Sequence, residues 1–233
     1  VRRLWNFLFW HGVIGLLWII FRSAARVRAT FYDPLPKGAF IVSLNHISHF
    51  DPPLITTSFP RKLDWLAMRE LFSTKASHYF FTTLNVIPVD RGGADRSGLR
   101  VALKRLREGR VVAIFPEGGI RDGDKSIVNG AAMRPGVALL AAMSGAPTVP
   151  GIILGSERLY NKKNWLPWRR PKVWIAYGKA IAAPESSLGE EGREQFLHAF
   201  SESIASLKQR LTADYGLTEN DLPHSPQQRM AEG

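Results

Sequence analysis

Residues Asn45 to Asp51 read NHISHFD and follow the apolar run AFIVSL. Two histidines and an aspartate this close together admit four kinds of chemistry: metal ligation, a nucleophile triad, a histidine base with an orienting carboxylate, or a polar turn closing a strand. His46, His49 and Asp51 could supply the two histidines and one carboxylate of an iron or zinc site. Their spacing, H-x-x-H-x-D, is not the H-E-x-x-H of a zinc helix, and His11, His78, His198 and His224 sit in no recognisable ligand context. A serine nucleophile needs a strained strand-to-helix elbow; Ser43 and Ser48 are near, but G-x-S-x-G occurs nowhere. Neither G-x-x-x-x-G-K-[ST] nor G-x-G-x-x-G occurs, so nucleotide chemistry lacks its usual loops. Two readings stay open. Asp51 can hold one imidazole nitrogen while the other takes a proton from a bound hydroxyl, or Asp51-Pro52 simply caps a turn at a helix start.

A second stretch bears on that choice. VVAIFPEGGIRDGD places Phe115-Pro116-Glu117-Gly118 directly after a buried-strand pattern, and open α/β sheets bind ligands beyond the ends of their strands. A glutamate there, followed by glycines and Arg121, can hydrogen-bond a polyol and pair with phosphate. VIPVDR, residues 86–91, is another strand pattern ending in charge.

In chain order, NH-x-x-x-x-D, I-P-V-D-R, F-P-E-G and V-P resemble the four blocks of the glycerolipid acyltransferase family, which includes the 1-acylglycerol-3-phosphate acyltransferases. The resemblance covers residues 40–155. It implies His46 as general base, Asp51 as its orienting partner and Arg91 as a ligand of the acceptor's phosphate. Glu117 and Gly118, with Gly119 and Arg121 beside them, fall to acceptor binding, and Val149 and Pro150 to the acyl-donor side. His49 and Ser48 fall at variable positions, where local hydrogen bonding at the turn is their expected role. No metal or cofactor is implied; acyl-CoA or acyl carrier protein is the co-substrate. Two departures stand out. Many members carry glycine ahead of the second block's isoleucine, where this chain has Asn85-Val86, and the third block commonly continues Thr-Arg, where this chain has Gly119-Ile120-Arg121.

The implied reaction moves a fatty acyl group to the free hydroxyl of 1-acylglycerol 3-phosphate, giving phosphatidate. A lysophospholipid, a lyso-aminolipid or glycerol 3-phosphate is the alternative acceptor, and a basic nucleic-acid-binding protein or a metal-dependent hydrolase the rival class.

The elements that must position these residues alternate. Residues 39–44, 86–89, 111–115, 148–154 and 173–177 read as strands, and residues 94–108 and 131–144 as helices, the latter stopping before Gly145. Phe196, Leu197, Phe200, Ile204, Leu207 and Leu211 mark a last amphipathic helix. This pattern predicts an α/β fold: a single domain with a mixed, largely parallel central sheet flanked by helices, which the resemblance makes glycerol-3-phosphate acyltransferase-like. The expected divisions are a membrane-associated N-terminal helix over 1–28, an acyltransferase domain over 29–211 and a polar, flexible tail over 212–233.

Composition bounds the partners. The 233 residues are 45% apolar and 22% charged, which suits a core-forming domain, and the absence of cysteine excludes disulfides and thiol nucleophiles. Lys and Arg number 31 against 20 Asp and Glu, a formal net of +11 that suits an anionic partner. Near the N-terminus, LWNFLFWHGVIGLLWIIF runs 18 residues without a formal charge between Arg3 and Arg22. As a helix it spans about 27 Å at roughly 1.5 Å per residue, slightly short of a hydrocarbon core of about 30 Å. His11, Gly15, Trp18, Arg22 and Arg26 form a less apolar stripe, which favours a helix lying in one leaflet over a full span. Ser23-Ala24-Ala25 resembles a signal cleavage site, but Arg22 stands where that region is normally neutral. In NKKNWLPWRRPKVW, cations interleave with tryptophans, a pattern open to nucleic-acid stacking or membrane docking. The expected partners are anionic membrane lipid at the inner face of the cytoplasmic membrane, a lysophospholipid acceptor and the acyl donor, and not nucleic acid; oligomeric state stays open.

Overall fold

A computed structural model describes residues 2–90, 97–166, 168–185 and 189–231. Seven strands make one sheet: β1 (Arg26–Phe31), β2 (Phe40–Leu44), β3 (Leu63–Met68), β4 (Ile87–Val89), β5 (Val111–Ile114), β6 (Thr148–Leu154) and β7 (Lys172–Tyr177). Their order across the sheet is β1-β7-β6-β2-β5-β3-β4. Every named pairing is parallel except β6 with β7, so the sheet is mixed and largely parallel.

The helices are α1 (Arg2–Ala24), α2 (Asp51–Ser58), α3 (Lys75–Thr83), α4 (Ser97–Arg107), α5 (Gly136–Ser144), α6 (Gly189–Tyr215) and α7 (Pro226–Ala231). β2 shows why the sheet is covered on both faces. Its five residues are all buried. Alternate side chains point opposite ways along a strand, so Ile41 packs toward α4, α5 and α6, while Phe40, Val42 and Leu44 pack toward α2 and the end of α1. α6 supplies Phe196, Phe200, Ile204, Leu207 and Leu211 to the first of these layers, one stripe at helical spacing.

Several boundaries differ from the sequence reading, each for a local reason. The segment expected as a helix from 131 starts only at Gly136, because Pro135 cannot lie inside a helix and takes the cap position. It ends at Ser144, where Gly145 adopts φ 66°. α1 stops at Ala24, and β1, expected as part of the N-terminal helix, begins two residues later beside β7. Asn85 takes φ 62°, a left-handed conformation that asparagine tolerates better than most residues.

The C-terminal segment is not a loose tail. α6 continues to Tyr215, Leu217 and Leu222 are buried, and Arg158 Nη2 donates to Asp221 Oδ1 at 2.7 Å and to the Asn220 carbonyl at 2.8 Å. Two leucines and a partly buried ion pair offset the entropy of ordering a polar chain.

α1 is apolar all round but covered on one side only. Phe9, Trp10, Val13, Ile14, Leu17 and Ile20 are half-buried along the face that meets α2 and α3, and Trp5 Nε1 donates to Tyr79 Oη at 2.7 Å. Leu4, Phe7, Leu8, Trp18 and Ile19 are exposed on the opposite face.

Candidate active site

β2, β5 and β6 are parallel neighbours, so their C-terminal ends share one edge of the sheet. The turns that leave this edge carry Asn45-His46 after β2, Phe115-Pro116-Glu117 after β5 and Gly155-Ser156 after β6. Asn45 extends β2 with its side chain: Nδ2 donates to the Ile153 carbonyl at 2.9 Å and Oδ1 accepts from the Ile153 amide at 2.7 Å. The side-chain amide thus copies a strand pairing and fixes where the next residue starts.

That residue is His46. Its main chain is held at both polar groups, with the amide donating to Glu117 Oε2 at 2.5 Å and the carbonyl accepting from the Arg121 amide at 2.7 Å. Its ring stacks on Phe115, centroids 4.0 Å apart and planes 6° from parallel, and Phe115 is backed by Trp65 at 4.8 Å. Nδ1 lies 2.8 Å from Asp51 Oδ2.

Asp51 opens α2. The two prolines after it need no amide acceptor and have φ preset for a first helical turn. The carboxylate is fully buried. Oδ2 also accepts from the amides of Ile47 at 2.7 Å and Ser48 at 2.9 Å, and Oδ1 accepts from the hydroxyls of Ser48 at 3.3 Å and Ser156. An aspartate ringed by donors is an acceptor only. The hydrogen of the His46–Asp51 contact therefore sits on Nδ1. Nε2 has no hydrogen-bond partner among the described residues, and the imidazole is 16% exposed.

The Glu117 carboxylate, expected on the acceptor, is 4% exposed. Besides the His46 amide, it accepts from Ser126 Oγ at 3.1 Å and from the Ile127 amide at 2.8 Å. Both its oxygens accept from the protein, so it braces the turn after β2. Burial pushes its carboxyl up from 4.5 to about 7 against these three donors, which pull the other way.

Gly118 has φ 66°, and a side-chain Cβ there would stand 2.7 Å from Cδ and Nε of Arg134. Arg134 thus lies across Gly118, held by its amide on the Pro116 carbonyl at 2.9 Å. Sequence reading had no signal for this cation beyond its charge. The Gly118 amide is spent on Phe115 at 3.1 Å, whereas the amides of Gly119 and Ile120 have no acceptor among the described residues. The Arg121 amide holds the His46 carbonyl, and one nitrogen of its guanidinium donates to the neighbouring Ile120 carbonyl.

Val149 and Pro150, expected on the donor side, are buried inside β6 opposite Val42 and Ser43. They lie in an interior strand covered on both faces. Arg91 lies outside the described residues. His49 is not confined to its own turn: Nδ1 lies 2.5 Å from Tyr160 Oη, which also accepts from the His49 amide at 3.0 Å. Burial raises the Tyr160 hydroxyl's pKa, with the His49 amide opposing. Ser156 and Tyr160, both on the segment after β6, are site residues that no sequence pattern disclosed.

Residues 26–154 match the family model described as Acyltransferase. The chain belongs to the acyltransferase family. It is 29% identical over 123 residues to the 1-acyl-sn-glycerol-3-phosphate acyltransferase of Bacillus subtilis (strain 168), covering 52% of this chain and 58% of that one. It is 30% identical over 151 residues to the N-acylphosphatidylethanolamine synthase of Arabidopsis thaliana, covering 59% and 52%. The 1-acyl-sn-glycerol-3-phosphate acyltransferase of Helicobacter pylori (strain J99) is 26% identical over 130 residues, 54% and 53%. The chain thus spans little more than half the length of the curated relatives it matches. In fold, it is similar to the crystal structure of the 1-acyl-sn-glycerophosphate (LPA) acyltransferase PlsC from Thermotoga maritima, with TM-score 0.62 and 23% identity, covering 84% of this chain and 80% of that one. These matches agree with the acyltransferase resemblance carried by the four sequence blocks.

Proposed function

We propose that this acyltransferase moves an acyl group from a thioester, acyl-CoA or acyl carrier protein, to the free hydroxyl of a lysophosphatidate-like acceptor in a membrane. The observation that carries the reading is the His46–Asp51 pair, with Nδ1 committed and Nε2 open at the common edge of three parallel strands. Nε2 takes the hydroxyl proton as the oxygen attacks the thioester carbonyl. The C–S bond then breaks and the thiolate leaves, taking back that proton. A positioned base contributes about 10²–10⁴-fold.

Arg91, Arg121 and Arg134 are the cations proposed to hold the acceptor's phosphate, since guanidinium matches it with a rigid fork of donors. The amides of Gly119 and Ile120 are the uncommitted donors proposed for the developing oxyanion. α1, apolar and open along one face, is proposed to bind one leaflet of the membrane, so that acceptor and product stay in the lipid. The similarity to an N-acylphosphatidylethanolamine synthase makes a phospholipid amine the second acceptor to try.

The test is product formation from labelled acyl-CoA and acyl carrier protein against lysophosphatidate, lysophospholipids, glycerol 3-phosphate and an aminophospholipid. Lysophosphatidate is expected to accept, and His46→Ala is expected to lose about 10²–10⁴-fold in kcat with an unchanged circular-dichroism spectrum. Undiminished turnover by His46→Ala would reject the base.

A further inference from the structure

Within the membrane-associated reading of α1, the structure assigns a second, separate lipid contact. We infer that residues 162–166 and 168–170 form an interfacial docking edge that seats on an anionic bilayer beside the last turn of α1.

Three observations converge there. Trp168 is 74% exposed, and Trp165 and Leu166 are also exposed. A tryptophan left in water beside another large apolar pair calls for a partner, and indole prefers the membrane–water boundary. Lys162, Lys163 and Arg169 flank these rings and are exposed in turn, so the edge is cationic as well as aromatic. Such cations favour anionic headgroups and lose that attraction with added salt.

The edge is also fixed in place against the apolar helix. Arg170 Nη2 donates to the carbonyl of Arg22 at 2.6 Å and to that of Ala25 at 3.4 Å, and the rings of Trp165 and Phe21 stand 6.3 Å apart. Trp168 precedes Arg170 by two residues, so its backbone lies within about 7 Å of the backbone of the arginine whose side chain reaches the end of α1. Trp18, exposed on α1 with Arg22 over its ring at 5.5 Å, belongs to the same level. The result is a belt of indoles and guanidiniums where the apolar helix ends, the arrangement that marks a bilayer interface.

The belt adjoins the catalytic turn. Trp165 packs on Phe50 at 5.7 Å between centroids, Phe50 on Tyr160 at 5.3 Å, and Phe50 is the residue before Asp51. Docking this edge therefore sets the His46 site at headgroup depth, where a lysophospholipid hydroxyl lies. A nucleic-acid platform uses the same residue types, but the neighbouring apolar face of α1 favours lipid.

The experiment uses the whole chain with vesicles of phosphatidylcholine, alone or with phosphatidylglycerol. Trp168→Ala is expected to weaken partition onto the anionic vesicles roughly tenfold, the scale of one large apolar side chain returned to water. Lys162→Glu with Arg169→Glu is expected to weaken it comparably at low salt and much less at high salt. Brominated lipids should quench wild-type tryptophan emission more when bromine is shallow than when it is deep, and Trp168→Phe should lose part of that quenching. In kinetics, Trp168→Ala should raise the apparent KM for bilayer-borne acceptor severalfold while leaving the rate on a water-soluble short-chain acceptor unchanged. Unchanged partition and KM in both variants would overturn the docking edge. So would loss of oligonucleotide binding in Trp168→Ala with vesicle binding intact. Failure of wild type to bind any vesicle would instead overturn the reading of α1 on which this rests.

Discussion

Two buried carboxylates hold the same histidine by different handles. In the turn after β2, Asp51 takes the imidazole Nδ1; in the turn after β5, Glu117 takes the main-chain amide of the same residue. Asp51 draws further donors from Ile47, Ser48 and Ser156, and so fixes a tautomer. Glu117 draws on Ser126 and Ile127, and so ties the turn after β2 to the loop that follows β5. The difference teaches that two buried carboxylates can hold one residue in different ways: one orients its ring, the other fixes its main chain.

Exchanging each carboxylate for its amide separates the two handles. Asp51→Asn should have the largest effect, a fall in kcat of about 10²–10⁴-fold, because the amide nitrogen competes with Nδ1–H and the base loses its tautomer. Stopped-time assays beside a thermal melt would check this; a kcat near wild type would sever Asp51 from the mechanism. Glu117→Gln should act mainly on stability. Turning an NH₂ toward donors leaves a buried group unpaired, a cost of about 1–3 kcal/mol, which lowers Tm, with kcat following as the His46 turn loosens.

Glu117 also adds a pH signature. Its carboxyl titrates near 7 in the fold against 4.5 in the open chain, so the folded state binds the extra proton between those values. Its stabilising contribution is full below about 4.5, declines as pH rises and is gone above about 7, a span on the order of 3 kcal/mol. Urea unfolding at pH 5 and pH 8 should show that loss in wild type and a flatter response in Glu117→Gln. Equal pH slopes in the two proteins would remove Glu117 as the source.

Smaller changes sharpen the contrast. Ser156→Ala removes one donor from a charged acceptor, worth about 1.5–3 kcal/mol. A fall in kcat of about tenfold is expected, with little change in KM, and no fall would mean that Ser48 and the two amides suffice to hold Asp51. Tyr160→Phe should do least, within about threefold in kcat, because the hydroxyl serves His49, which does not touch the His46–Asp51 pair. A drop as large as that of Ser156→Ala would move His49 into the working site.

Much of the strand pattern was legible because buried strands are short apolar runs: residues 148–154 in sequence are β6 in the structure. β3 was not legible, since LDWLAM carries a charge within it; Asp64 is buried there against Arg110 and Arg105. α3 was missed as well, its KASHYFFTT lacking a clear apolar stripe. Glu117 was placed with the acceptor by its resemblance to the third block, which says nothing of its partners within the protein. Its partners at Ser126 and Ile127 become visible only once the loop folds back.

Acting alone, the sequence determined the alternation of elements, the apolar N-terminal helix, the basic balance and the five-residue spacing of His46 and Asp51. That last pairing is local, closed within a single turn, so its geometry follows from short-range constraints. Tertiary structure alone decided the rest of the site. Ser156 reaches Asp51 across 105 residues, Tyr160 reaches His49 across 111, and Glu117 reaches His46 across 71. Those contacts exist because β2, β5 and β6 lie side by side and parallel, and strand order is set by packing across the whole sheet, which no local pattern records.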